Sequence, residues 1–152
     1  MNKTQFRKLV QDTLTGIGLW SKAAEELLML TAAQESHLGQ YIHQINGPAL
    51  GVMQMEPNTF KDHVHSYLKY KEDLQSAILT ICNMKYLEQD ALVYNLKFSI
   101  VMARVHYLRK EESLPNHGNI RELATYYKKY YNSFLGSATI EEAINNYKKY
   151  AI

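Results

Sequence analysis

Glu35 stands where a helix should present an aliphatic side chain. With Ser21 read as an N-cap, residues 22–38 carry a helical pattern in which Ala24, Leu28, Thr31, Glu35 and Leu38 recur on one stripe. A carboxylate on that stripe has two readings. At the edge of a core its head group reaches water and keeps an ordinary pKa. Inside the core, lost hydration disfavours the anion and the pKa rises. A carboxylic acid that holds its proton near neutral pH can give it to a leaving group. A loop with Gly39, Gly47 and Pro48 follows, then Gly51-Val52-Met53-Gln54-Met55-Glu56-Pro57. That sequel favours the second reading.

The elements that must hold this acid read as helix almost throughout. A first helix spans about residues 3–14, with Phe6, Leu9, Val10 and Leu14 apolar, and Gly16 and Gly18 break it. The Glu35 helix covers 22–38, and 39–56 is irregular. Pro57 suits the first turn of a helix reaching about residue 70. Long helices are predicted over 71–91 and 95–110. Pro115-Asn116-His117-Gly118 makes a turn, and a helix follows over 119–131. Thr139-Ile140-Glu141-Glu142 opens the last helix as a capping box. Val52–Met55 is the one candidate extended piece. The 152 residues show no repeat, linker or low-complexity tract, so the expectation is one all-α domain over 1–152, or mainly α with a very short β piece.

Composition narrows the function classes. The net charge of +2 does not mark a nucleic-acid binder, although Lys128-Lys129 and Lys148-Lys149 lie among aromatics. The single cysteine, Cys82, forms no internal disulfide and sits in an apolar helical pattern as a small core residue. His63-Val64-His65 lacks a third ligand at recognised spacing and no HExxH motif occurs, so neither a metal nor an organic cofactor is expected. No stretch approaches the roughly 18 apolar residues of a membrane span, and the N-terminus reads without a signal peptide.

Residues 34–59, about a sixth of the chain, carry a more specific pattern. Glu35-Ser36, then Gly51-Val52-Met53-Gln54, then Pro57-Asn58-Thr59 resemble the lysozyme-like superfamily, and within it the transglycosylase SLT family. Glu-Ser closes a helix in that family, and Gly-Leu-Met-Gln and Pro-x-Thr follow. The family's third motif, Ala-Tyr-Asn-Ala-Gly, has its nearest counterpart in Ala103-Arg104-Val105-His106-Tyr107, which lacks the Asn and Gly. The run Tyr126-Tyr127-Lys128-Lys129-Tyr130-Tyr131-Asn132-Ser133 resembles compact phage-encoded members.

The resemblance implies a lysozyme-like fold and cleavage of the peptidoglycan glycan strand between N-acetylmuramic acid and N-acetylglucosamine, with Glu35 as general acid and base. It implies that Tyr107 stands beside Glu35 and that Ser36 bonds Glu35 or a sugar. Lytic transglycosylases manage with one Glu, whereas most glycosidases pair two carboxylates. Glu56 and Asp62, and more remotely Asp12, are the candidates for a second. Glu56 reads first as a charge at a helix start beside Pro57. Gln54 offers its amide to a sugar or to its own loop. Met53 lines the sugar site or the core, and Gly51 permits a turn or a close backbone approach. Of twelve tyrosines, Tyr127 is the candidate sugar contact besides Tyr107. A hydrolytic lysozyme and a non-catalytic wall-binding or virion module are the alternatives. The expected partners are glycan strands and other virion proteins. The expected route is from host cytoplasm to wall, inside a virion or through a holin.

Overall fold

The computed structural model describes residues 1–132 and 136–152; Ser133, which ends the tyrosine run, lies outside them. Among the described residues there are eight α-helices and no strand: α1 (Lys3–Gly16), α2 (Lys22–Ser36), α3 (Pro57–Ser66), α4 (Glu72–Cys82), α5 (Ala91–Tyr94), α6 (Leu96–Leu108), α7 (Ile120–Tyr127) and α8 (Ile140–Asn146). The fold is all-α. A 3₁₀ turn, Leu68–Tyr70, follows α3, and π-helical turns, Lys128–Asn132 and Tyr147–Ala151, extend α7 and α8.

Two helices form the axis of the core because each is apolar on nearly every side. In α2 the run Leu27–Ala33 is buried throughout, and in α6 every residue from Phe98 to Val105 is buried. Such helices need neighbours all round. Helix α2 packs on α1, α6, α7, α8 and the turn after α8, while α6 packs on α1, α3, α4 and α5. Short polar side chains set the ends. Asn2, Ser21, Asn95, Asn119 and Thr139 each accept from a first-turn backbone N–H, and Thr139 with Glu142 closes the expected capping box.

The elements depart from the sequence reading where side chains tolerate left-handed backbone. The helix expected over 22–38 stops at Ser36, because His37 (φ 50°) and Leu38 (φ 59°) turn left-handed and the Leu38 N–H reaches back to the Ala32 carbonyl (3.0 Å). The helix expected over 71–91 stops at Cys82, because Asn83 (φ 54°) takes the same conformation. Asn95 then bridges two helices: its Nδ2 donates to the Cys82 carbonyl (2.9 Å), and its Oδ1 accepts from Phe98 N at the start of α6. The extended piece expected at Val52–Met55 is instead a tight turn closed by antiparallel pairing of Leu50 with Met55 (2.9 and 3.0 Å), with Gln54 at φ 48°.

No helix among the described residues is long and apolar enough to cross a membrane. Cys82 is buried in the core, and burial pushes its thiol up to about 11.

Candidate active site

Glu35 occupies the last turn of α2, where the helix leaves the core, and its side chain is half-buried at a cleft of about 730 Å³. The cleft lining also includes Tyr131 and Asn132 from the π-helical turn after α7, and Tyr41, Gln44 and Ile45 from the loop. Among the described residues one hydrogen bond fixes the carboxyl: the Tyr127 hydroxyl donates to Glu35 Oε1 at 2.5 Å. Tyr127 is fully buried. Burial raises the Glu35 pKa and the Tyr127 bond opposes the rise, leaving Glu35 at about 7. Burial and the neighbouring Glu35 both drive the Tyr127 phenol upward, so it stays protonated and remains a donor.

The turn Gly51–Gln54 props the end of α2. Gly51 has φ +82°, and a Cβ there would lie 2.0 Å from the Leu92 carbonyl oxygen, so both of its expected roles, turn and close approach, hold at once. Ser36 Oγ donates to the Val52 carbonyl (2.7 Å) and accepts from Gly39 N (2.8 Å). Its hydroxyl is fully buried and spent on backbone; it touches neither Glu35 nor the cleft, which corrects the expected role. Met53 is likewise buried, with its carbonyl accepting from the Tyr131 hydroxyl (2.7 Å), so its side chain belongs to the core rather than the floor. Gln54 lines the cleft, and its Nε2 donates to the Gly51 carbonyl (2.8 Å); the Oε1 is its remaining polar atom.

Tyr107 lies near enough to feel the Glu35 charge but is not the tyrosine bonded to it. Its hydroxyl pairs with Thr31 Oγ1 (2.8 Å), and its ring packs on Tyr126 and Tyr131. The reason is geometric: α6 runs behind α2, whereas α7 ends beside the last turn of α2 and delivers Tyr127 there. The wider π turn then stacks Tyr131 on Tyr127, with ring centroids 6.1 Å apart and planes at 25°.

Of the candidate second carboxylates, Glu56 lines the same cleft, exposed at the N-cap of α3, and its side chain caps nothing. Asp62 does not line it; it pairs with Arg109 Nη1 (2.9 Å) in an adjoining depression. Hydrogen bonds from Ser66 and Arg109 hold Asp62 below the usual carboxylate range. Asp12 pairs with Lys8 on the exposed side of α1.

A histidine pair that the spacing did not reveal joins these two regions. Arg109 Nη1 donates to His63 Nδ1 (2.9 Å), which leaves His63 Nε2–H to donate to His106 Nδ1 (2.9 Å) and His106 Nε2–H to donate to the Tyr130 carbonyl (2.5 Å). Each ring must be neutral for this direction to hold. Burial, with nearby positive charge, pushes His63 down to about 3 and His106 to about 4. No three His, Cys, Asp or Glu side chains gather in metal-binding geometry among the described residues. The signal available in sequence was the i,i+3 pair His106–Arg109; His63 arrives only through the packing of α3 on α6.

Comparison with protein-family models, with curated proteins and with solved structures finds no match for this chain.

Proposed function

We propose that this chain cleaves the glycan strand of peptidoglycan between N-acetylmuramic acid and N-acetylglucosamine, as a lytic transglycosylase. The observation that carries the reading is Glu35, an acid set at about pKa 7 by burial, held by Tyr127 and lining a cleft of about 730 Å³. Glu35 gives its proton to the departing glycosidic oxygen while the substrate's N-acetyl group supports the cationic anomeric carbon. The resulting carboxylate then takes the proton of the muramic 6-hydroxyl as that oxygen closes on C1. A 1,6-anhydro end is left, Glu35 regains its proton, and no water is consumed. Tyr127 orients the carboxyl throughout, and the free oxygen of Gln54 is available to an N–H or hydroxyl of the sugar.

One observation favours a hydrolytic variant. Glu56 is a second carboxylate lining the same cleft, with no hydrogen-bond or ion-pair partner among the described residues, and in a hydrolase it would be the candidate to activate water. Digestion of purified peptidoglycan by wild type and Glu35→Gln, with sugar ends identified by mass spectrometry, separates the readings. Anhydro-muramic ends made by wild type alone are expected. Reducing ends would move the assignment to the Glu56-assisted hydrolase. No fragments from either protein would make it a wall-binding module. Fragments from Glu35→Gln at the wild-type rate would overturn the role of Glu35.

A further inference from the structure

Beside the Glu35 cleft lies a second depression of about 380 Å³, which shares Thr59 and His106 with it and is otherwise edged by Asn58, Asp62, His63, Arg109 and Lys110. Its charge is unbalanced. Arg109 and Lys110 are two cations facing one carboxylate, Asp62, and the hydrogen-bond direction keeps His63 and His106 neutral. Arg109 spends Nη1 on both Asp62 and His63, while its Nη2 and Nε take no acceptor among the described residues. Its guanidinium is held over the Tyr67 ring at 5.4 Å and its side chain is 23% exposed, so the fork is held in place by ring and ion-pair contacts before any ligand arrives. Lys110 has no carboxylate partner among the described residues and rests 5.9 Å from the Tyr130 ring. A rigid guanidinium with unspent donors beside a free ammonium suits a carboxylate.

We propose that this depression is a subsite for a carboxylate of the peptide that branches from the muramic lactyl group, bound by Arg109 and Lys110 while the sugars occupy the Glu35 cleft. The inference rests on the peptidoglycan reading and adds to it a preference for strands that still carry their peptides. The continuity through Thr59 and His106 supplies the path along which a branch leaves the sugar cleft.

The test is a binding titration, independent of turnover. Glu35→Gln protein is titrated with a soluble muropeptide disaccharide, with the same disaccharide lacking its peptide, and with acetate as competitor, following the backbone amide resonances of Asn58, Thr59 and His106 by NMR. The peptide-bearing ligand should bind about tenfold more tightly, as one charge-assisted contact implies. Adding Lys110→Ala or Arg109→Gln should reduce that preference to below about threefold, and acetate at equal concentration should not compete. Lys110→Ala keeps the measurement interpretable if Arg109→Gln disturbs the histidine pair. Equal affinity for the two disaccharides, binding of neither, a preference untouched by Lys110→Ala, or equal competition by acetate would each overturn the subsite. Absence of glycan cleavage by wild type would instead remove the catalytic reading, and the titration would still decide whether Arg109 and Lys110 hold the peptide.

Discussion

A general acid at neutral pH needs a carboxyl whose anion is poorly solvated and whose orientation is fixed, and these demands pull against each other. Burial lifts Glu35, whereas the Tyr127 hydroxyl that aims it also stabilises its anion and draws the pKa down. The balance at about 7 places the loss of activity on the alkaline side: lysis should fall as pH rises through 7. Tyr127→Phe separates the two effects. Without the phenol the anion loses its one donor, so the alkaline limb should move to higher pH. Turnover should fall by about ten- to hundredfold as the carboxyl loses its aim. A pH–rate profile of both proteins checks this, and a limb that stays put or moves down would refute the assigned bond. The sequence located the acid by its place on an apolar stripe. The resemblance named Tyr107 as its partner and Tyr127 only as a sugar contact; that Tyr127 holds the carboxyl depends on which helix end reaches the last turn of α2, which the sequence does not show.

At the scale of elements, the site is held by a turn that tolerates almost no change. Gly51 combines a left-handed φ with backbone contact against Leu92 of α5, so Gly51→Ala incurs conformational strain and a clash with a carbonyl that cannot rotate away. A loss of about 2–4 kcal/mol in denaturant unfolding is expected, from strain added to displaced packing. An effect under about 0.5 kcal/mol, the range of ordinary surface changes, would mean that α5 yields easily. Seven of the eight helices and the cap at Thr139 were legible because periodicity and capping chemistry are local, whereas the four-residue α5 is too short to show a period. The breaks after Ser36 and Cys82 were not, because His37, Leu38 and Asn83 turn left-handed where no glycine marks the turn. The π turn after Tyr127 was also invisible: no residue type marks it, and its Tyr130 carbonyl accepts from His106, a residue 24 positions away.

Across the whole molecule, α2 carries carboxylates whose environments push them in opposite directions. At its start, Glu26 accepts from Arg7 of α1 (2.6 Å), from Lys22 (3.2 Å) and from the Tyr147 hydroxyl after α8, while Glu25 takes Arg7, Lys22 and the Trp20 indole N–H. Burial alone would raise Glu26; Tyr147, Arg7 and Lys22 outweigh it and hold the pKa below the ordinary 4.5. This cluster is hard to see in the sequence, since acidic residues in a first helical turn look like dipole partners on a solvated face. The folded state therefore binds the Glu26 proton more weakly than the unfolded chain does. The stability this contributes is present above pH 4.5 and is lost as pH falls below it. Glu35 has the reverse sign. Folding raises its pKa from 4.5 to about 7, so its protonated form favours the fold and stability declines as pH climbs between those values. Denaturation of wild type, Glu26→Gln and Glu35→Gln from pH 3 to 8 separates the two. Glu26→Gln should be the weaker protein at pH 6, by about 2–4 kcal/mol for a broken buried ion cluster, with its deficit shrinking towards pH 3. Glu35→Gln should gain on wild type by about 1–3 kcal/mol between pH 4 and 8, since each tenfold change in proton affinity carries about 1.4 kcal/mol. A pH-independent difference for Glu35→Gln would mean the acid titrates normally, and with it would go the physical basis for catalysis at this cleft.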